Sequence, residues 1–169
     1  MVGIGDIIIV RNIIFHDGVD HAFLFGRPCL VIGFDENNLY YLPITHNVHY
    51  TPERSKYIFH AKECRWKKKD YFFHAVTTEQ YYQTPLCQHK VCGQISPVVL
   101  NEIYQRFLQT QTEENIGELY HLFQYYQECI QEFLDANDDY AIWELYDFLD
   151  EFNKYLYEQI FPVKTKLLP

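Results

Sequence analysis

Residues 25–45, FGRPCLVIGFDENNLYYLPIT, restrict the fold of this chain more than any other stretch, because they have the pattern of a β-hairpin. The runs CLVIG and LYYLPIT are rich in apolar and β-branched residues, and the segment DENN between them favours a turn. Pro28 lacks an N–H and suits the start of the first strand. Pairing of the two runs would place Arg27 and Thr45 at one edge, where a cation and a hydroxyl form a candidate phosphate site.

Other segments with strand patterns surround this hairpin and predict an antiparallel sheet. Residues 5–14, GDIIIVRNII, are rich in β-branched residues and predict the first strand. The polar stretch 46–55 and the tyrosine-rich stretch 79–85 are predicted to be loops. Shorter strands are predicted at residues 56–60, 71–78 and 86–95.

The last part of the chain has the apolar spacing of helices. Ser96 and Pro97 suit the N-cap and first turn of a helix that directly follows the last strand. Thr112 is a good N-cap for the next helix. Apolar residues then recur every three or four positions through 116–134 and 142–160, which predicts an antiparallel helical pair. The expected fold class is therefore α+β.

The net charge of −9 is unevenly distributed. Residues 1–110 contain 11 Lys and Arg against 10 Asp and Glu, a net charge of +1. Residues 111–169 contain 3 against 13, a net charge of −10. The chain therefore divides into a core, residues 1–110, and an acidic helical extension, residues 111–169, packed on it. Because affinity for phosphate depends on local cations, the core remains compatible with an RNA partner.

The sequence predicts a cytoplasmic protein without a metal ion or a cofactor. No apolar run reaches the 18 residues or so of a membrane span, and Asp6 and Arg11 interrupt the N-terminal apolar run, which favours a strand over a signal peptide. Five cysteines, an odd number without CxxC spacing, favour reduced thiols. His46 and His49 lie in a segment of turn-forming residues, so a solvated or base-contacting pair is favoured over a metal site.

Five residues near one edge of the hairpin could act on RNA: Arg27, Thr45, His46, His49 and Lys56. Cleavage by the 2′-hydroxyl needs a base for its proton, an acid for the leaving 5′-oxygen and donors for the phosphoryl charge. An arginine fork grips two phosphoryl oxygens, and a histidine transfers protons near neutral pH. A threonine hydroxyl is too weak a base and suits phosphate binding. These residues are sufficient for ribonuclease chemistry without specifying it.

A second group of cations surrounds an aromatic residue at 62–70, KECRWKKKD. Such a pattern suits a single strand of RNA, because the charges hold phosphates and the indole stacks on a base. A solvated turn explains it equally well. On the first interpretation the RNA-binding residues, in addition to His49 and Lys56, are Arg65, Trp66, Lys67, Lys68 and Lys69.

Four short motifs occur in a characteristic order: GDIIIV at residues 5–10, GRPCLVI at 26–32, PIT at 43–45 and GQIS at 93–96. Together they resemble the MazF/PemK (Kid) family of toxin endoribonucleases over about residues 3–109. The resemblance implies a small SH3-like antiparallel β-barrel that cuts RNA without a metal. It also implies that Arg27 and Thr45 are catalytic.

The segment YYLPITHN at residues 40–47 is similar to type III toxins of the ToxN and CptN kind, which share the barrel and often carry a helical extension. Members of that group are inhibited by a pseudoknotted RNA, which they process from a repeat precursor and bind in closed protein–RNA assemblies. The resemblance implies a bacterial toxin whose products carry 2′,3′-cyclic phosphates and 5′-hydroxyls. His46 stands where that group commonly has a serine, and Val48 where a lysine can follow. Proton transfer is therefore expected from His46, His49 or Lys56, with His46 the first choice.

Two alternatives remain at this point. A MazF-like mRNA interferase would keep the chemistry but pair with a protein antitoxin. A non-catalytic SH3-like interaction module would dock a partner protein through its acidic tail and cut no RNA. The tail itself has three expected roles: it repels RNA so that binding is confined to the barrel face, completes the core, or contacts a neighbouring copy.

Overall fold

The computed structural model shows an α+β protein with, in the part of the chain that it describes, one antiparallel sheet of eight strands and four helices. It describes residues 1–14, 20–46, 48–49, 55–66, 73–87, 89–136 and 142–162. The strands are β1 (Asp6–Ile14), β2 (Asp20–Phe34), β3 (Asn38–Thr45), β4 (Lys56–His60), β5 (Arg65–Trp66), β6 (Phe73–Thr77), β7 (Tyr82–Pro85) and β8 (Val91–Gln94). The helices are α1 (Pro97–Thr110), α2 (Glu113–Ile116), α3 (Glu118–Ala136) and α4 (Ile142–Ile160).

The strands β2 and β3 form the hairpin that the sequence predicts. The Asp35 carboxylate holds its turn, because Oδ1 accepts hydrogen bonds from the backbone N–H groups of Asn37 and Asn38, both at 2.8 Å. This is the local bonding for which Asp is favoured in turns. Strand β2 is longer than the sequence pattern predicts. It begins at Asp20, because its first half pairs with β1.

The strand order across the sheet is β4–β6–β3–β2–β1–β8–β5, and β7 pairs with the first half of β3. Among the described strands the two ends of the sheet do not pair, so the sheet is open and the barrel that the family resemblance implies is not observed. Its two end strands, β4 and β5, are consecutive in the chain and are joined by a short 3₁₀ turn, Ala61–Glu63. The Cys64 N–H donates to the Ala61 carbonyl at 3.1 Å, so the backbone here makes a local turn instead of a ladder.

Two short strands depart from the sequence predictions. The end of the stretch predicted as a loop at 79–85 forms β7, in which Tyr82 pairs with Tyr41. The basic segment contains β5, in which Trp66 pairs with Gly93 of β8. Neither strand has an alternation of apolar and polar residues in its sequence, so the sequence pattern does not predict them and their pairing depends on the neighbouring strand.

The helices begin close to where the sequence predicts them. Pro97 opens α1 after Ser96, although the Ser96 side chain makes no capping hydrogen bond. The Thr112 hydroxyl accepts a hydrogen bond from the Asn115 N–H at 3.2 Å and caps α2. Gly117, with φ of 61°, then ends α2, so the single helix predicted here is divided into two. Among the described residues, no helix has both the length and the apolar character that a membrane crossing requires.

The two C-terminal helices pack antiparallel, as predicted. The rings of Tyr126 and Phe152 meet with centroids 6.0 Å apart, and those of Phe133 and Phe148 stack at 3.8 Å. Close approach of α3 to the sheet requires Gly33, because a Cβ there would lie 2.9 Å from the Phe123 ring. Both helices contribute to the main core together with strands β1–β3: the buried helical residues are Phe123, Tyr126, Ile130, Leu149, Phe152 and Leu156.

Polar contacts fasten α4 to the N-terminal segment of the chain. The Asn153 side chain accepts a hydrogen bond from the Ile4 N–H at 2.7 Å and donates one to the Ile4 carbonyl at 2.9 Å. The Tyr157 hydroxyl donates to the Val2 carbonyl at 2.6 Å. The last helix therefore satisfies backbone groups that would otherwise be buried without partners.

Candidate functional site

Arg27 and Thr45, the pair selected by the hairpin pattern, lie toward the same end of the β2–β3 ladder. In this ladder Cys29 is opposite Pro43. Arg27 precedes Cys29 by two residues, and Thr45 lies two residues beyond Pro43. Because the strands run antiparallel and side chains alternate, the cation and the hydroxyl lie on the same face of the sheet. Both residues are half-buried, and we call this side of the sheet the hairpin face.

The hairpin face is opposite to the face against which α3 packs. The Tyr40 ring meets the Phe123 ring of α3 with centroids 6.1 Å apart. The next residue, Tyr41, points to the other side, where its ring stacks on Tyr82 of β7 at 6.0 Å. Thr45 is four residues beyond Tyr41 in the same strand and therefore shares its face. Helix α3 therefore does not cover Arg27 and Thr45, because it packs against the opposite face of the sheet.

The guanidinium of Arg27 is partly shielded from water by its surroundings. Burial lowers the pKa of its guanidinium, and the interaction with Cys29 partly offsets that effect. An arginine nevertheless stays charged at neutral pH. Burial raises the pKa of the Cys29 thiol well above its ordinary value, so the thiol stays protonated and its Sγ contacts the Arg27 carbonyl at 3.5 Å. A charge held in such a partly desolvated place attracts a phosphate more strongly than one in bulk water.

The backbone before Arg27 needs glycine. Gly26 has φ of 78°, a conformation that glycine adopts without strain. A Cβ at this position would also collide with the Ile9 side chain of β1. The glycine of the GRP motif therefore has a local role: it lies where the register between β2 and β1 shifts, directly before the residue that carries the cation.

The loop after Thr45 carries the two histidines proposed for proton transfer and RNA contact. Both His46 and His49 are exposed. Lys56, at the start of β4, is only 5% exposed, and its ammonium donates to the Val48 carbonyl. This contact ties the histidine-bearing loop to the sheet. A contact between Lys56 and RNA stays a prediction.

The described members of the second group of predicted RNA-binding residues belong to a strand that does not pair with the β2–β3 hairpin. Arg65 and Trp66 belong to β5, which β8 and β1 separate from β2. The guanidinium of Arg65 lies 4.0 Å above the centre of the Tyr146 ring of α4. Trp66 is half-buried, with its ring 6.4 Å from that of Phe59 and 4.8 Å from that of His74. Three further predicted residues lie outside the described part of the chain: Lys67, Lys68 and Lys69.

A cavity that the sequence interpretation missed lies beside the stacked Tyr41 and Tyr82 rings. Its volume is about 740 Å³. The signal in the sequence is the run EQYYQ at residues 79–83, which the prediction of a loop passed over. Amide side chains from several separate segments also line it: Asn12, Gln80, Gln83, Gln111 and Asn115.

A buried carboxylate, Asp6, lies where α4 meets the sheet. It is 7% exposed and accepts a hydrogen bond from the Gly3 N–H at 2.8 Å. Burial raises the pKa of Asp6 to about 6, the Gly3 bond opposes that rise, and the nearby charge of Asp150 adds to it. Gln94 links the two elements, since its Nε2 donates to Asp150 at 2.9 Å. The titration of Asp6 therefore bears on how α4 is held.

Among the described residues, no group of three or more His, Cys, Asp and Glu side chains is arranged to hold a metal ion. Comparison of the chain with protein-family models and with curated proteins finds no match. The features of the chain that bear on its function are therefore the geometry and charge of the hairpin face and the motifs of the sequence.

Proposed function

We propose that this protein is a metal-independent, sequence-selective endoribonuclease toxin of the ToxN/CptN type, with a sheet related to the SH3-like fold of MazF/PemK toxins. The observation that carries the proposal is the β2–β3 register, which puts Arg27 and Thr45 at the same end and on the same face. RNA cleavage needs charge-stabilising donors held together at one phosphate. A loop with two exposed histidines follows directly.

In the proposed reaction the RNA supplies its own nucleophile. The 2′-hydroxyl oxygen bonds to the adjacent phosphorus as its proton is removed, and the bond from phosphorus to the 5′-oxygen breaks as that oxygen is protonated. The products are a 2′,3′-cyclic phosphate and a 5′-hydroxyl. Arg27 stabilises the growing charge on the phosphoryl oxygens, and Thr45 donates a hydrogen bond that positions the phosphate. His46 is the group proposed to transfer a proton.

The charge distribution supports an RNA partner on the hairpin side. Acidic residues on the outer faces of α3 and α4 repel a polyanion from that side of the molecule. We propose that the inhibitor is a pseudoknotted RNA, processed from a repeat precursor and bound in a closed protein–RNA assembly in the cytoplasm. The exposed acids of the two helices are Glu118, Glu128, Glu132, Asp135, Asp147, Asp150, Glu151 and Glu158.

The catalytic part of the proposal is tested with Arg27→Ala and Thr45→Ala. Each variant is expected to keep its fold and to lose cleavage by roughly 10²–10³-fold or more, as enzymes do when one preorganised donor is removed. Lys154→Ala, which removes an exposed cation from α4, is the matched control. The measurement is sequencing of new 5′-hydroxyl ends in RNA treated with purified protein in the presence of a chelator. Normal cleavage by both variants would reject the assigned site.

The inhibitor is tested by purifying the protein from its native operon and sequencing any bound RNA. We expect one short RNA that matches tandem repeats encoded before the toxin gene. Recovery of a small acidic protein instead would favour the MazF-like alternative. Recovery of another protein, with no RNA cut by the purified chain, would favour the non-catalytic interaction module.

A further inference from the structure

The cavity beside Tyr41 and Tyr82 has the composition of a site for a flat, neutral ligand. Its volume of about 740 Å³ lies within the roughly 300–1,000 Å³ range of small-molecule sites. The buried ring of Tyr41 supports the half-buried ring of Tyr82, with only 26° between their planes. Aromatic faces of this kind bind nucleobases by stacking.

The polar groups of the cavity suit the edges of a base better than a phosphate. Amides such as Gln80 and Asn115 offer both donors and acceptors, the combination used to recognise base edges. Among the described residues that line the cavity, none is Lys or Arg, and the acidic residue Glu79 is present. A phosphate would be repelled here, whereas the exocyclic amino group of a base could donate to a carboxylate or amide oxygen.

The cavity and the proposed catalytic pair are connected through one strand. Tyr41 and Thr45 both belong to β3 and lie on the hairpin face, about 13 Å apart at the usual rise per strand residue. An RNA strand whose phosphate is held by Arg27 and Thr45 could therefore place a flanking base against Tyr82. The phosphate site would set where the chain is cut, and the cavity would set which sequence is cut.

We propose that this cavity holds one unpaired nucleobase of the RNA next to the cleaved phosphate and determines the sequence preference of the enzyme. This inference rests on the proposed ribonuclease function. The residues assigned to it are Tyr82 for stacking and Gln80 for hydrogen bonds to the base edge.

The test compares cleavage of a random-sequence RNA pool by the unmodified protein and by Tyr82→Ala, Tyr82→Phe, Gln80→Ala and Gln83→Ala. Tyr82→Ala is expected to weaken binding of the base, and with it cleavage, by roughly 5- to 150-fold, the factor that corresponds to one stacked base. Tyr82→Phe keeps the ring and should keep the cleavage. Gln80→Ala should change which base is preferred, whereas Gln83→Ala, on the other face of β7, should not. Tyr155→Ala is the control, because that tyrosine is 48% exposed on α4.

A second measurement separates this inference from the proposed chemistry. Short oligonucleotides of each single base are titrated into Arg27→Ala protein with and without Tyr82→Ala, and binding is followed by fluorescence anisotropy. Affinity that depends on both the base and Tyr82 supports the base site even if no variant cuts RNA. If RNA is cut but neither preference nor affinity changes with Tyr82 or Gln80 in proteins of unchanged thermal stability, the base site is rejected and the ribonuclease proposal stands.

Discussion

The C-terminal helices and the hairpin face use charge in opposite ways. In α3 and α4, acidic side chains such as Glu128 and Asp147 are exposed to water, where a charge costs little, and apolar residues face inward. On the hairpin face, the half-buried Arg27 is partly desolvated and its pKa is lowered by burial. The net charge of −9 therefore reflects the outer surface of the helices, whereas the feature relevant to a phosphate is the partly desolvated Arg27 on the hairpin face.

The helical tail and the sheet also share one packed core. The helical tail looks in composition like an addition to a finished domain, yet its buried residues belong to the main core together with those of the sheet. Leu149 of α4 lies so close to Gly5 that a Cβ on the glycine would collide with it. The tail therefore completes the hydrophobic core, which is one of the three roles expected from the sequence. The proposed repulsion of RNA is compatible with this role, because it uses the opposite side of the helices.

Deletion of residues 111–169 is expected to have the largest effect on stability. We expect the remaining strands and α1 to be insoluble or to lack cooperative unfolding. Truncating even one large core side chain costs about 2–5 kcal/mol, and a domain is stable by only about 5–15 kcal/mol. Solubility and thermal unfolding followed by circular dichroism test this. A soluble, active fragment would show that the helices are dispensable to the core.

Phe123→Ala tests the contact between α3 and the sheet at a single residue. Phe123 is fully buried against Tyr40 and Gly33, so we expect the free energy of unfolding to fall by about 3–5 kcal/mol. The control in the same helix is Tyr125→Ala, whose side chain is 45% exposed and whose loss should change stability by no more than about 0.5 kcal/mol. Equal effects in urea unfolding would contradict the packing described.

Asp6→Asn tests the buried carboxylate at the junction of α4 and the sheet. The pKa of Asp6 is raised from 3.8 to about 6 in the folded protein, so the folded state binds more protons between these values. Wild-type stability should therefore fall as pH rises from about 4 to about 6, by about 3 kcal/mol in total. The asparagine variant should lack this fall and be more stable above pH 6. Urea unfolding across pH 4–8 measures it, and an equal loss at every pH would contradict the assignment.

Arg65→Met is expected to have the smallest effect on stability. Losing the contact with Tyr146 should lower the free energy of unfolding by about 0.5–1 kcal/mol. If Arg65 also holds an RNA phosphate, the slope of log affinity against log salt should decrease by about 1. Arg11→Met, at an exposed arginine of β1, is the control for stability. A stability loss without a change of slope would assign Arg65 to the fold alone.

The elements that the sequence predicted well are those whose signals are local. The β2–β3 hairpin follows from two apolar runs and an Asp-Glu-Asn-Asn turn, and the hydrogen bonds of Asp35 show why that turn forms. The start of α1 at Pro97 and the cap at Thr112 follow from turn and capping chemistry in the same way. The break at Gly117 was missed, because one glycine within an apolar stripe does not by itself end a helix.

What the sequence by itself determined is therefore the class α+β, the hairpin with Arg27 and Thr45 at one edge, and the division of charge between core and tail. Only the tertiary structure decided that the sheet is open, that Arg65 lies on Tyr146, and that residues of β1, β3, the segment 79–83 and the segment 111–116 line a cavity beside Tyr82. The physical reason is the range of the interactions. Turns, caps and alternation depend on residues a few positions apart, whereas strand order, ring contacts and cavities depend on which distant segments pack together.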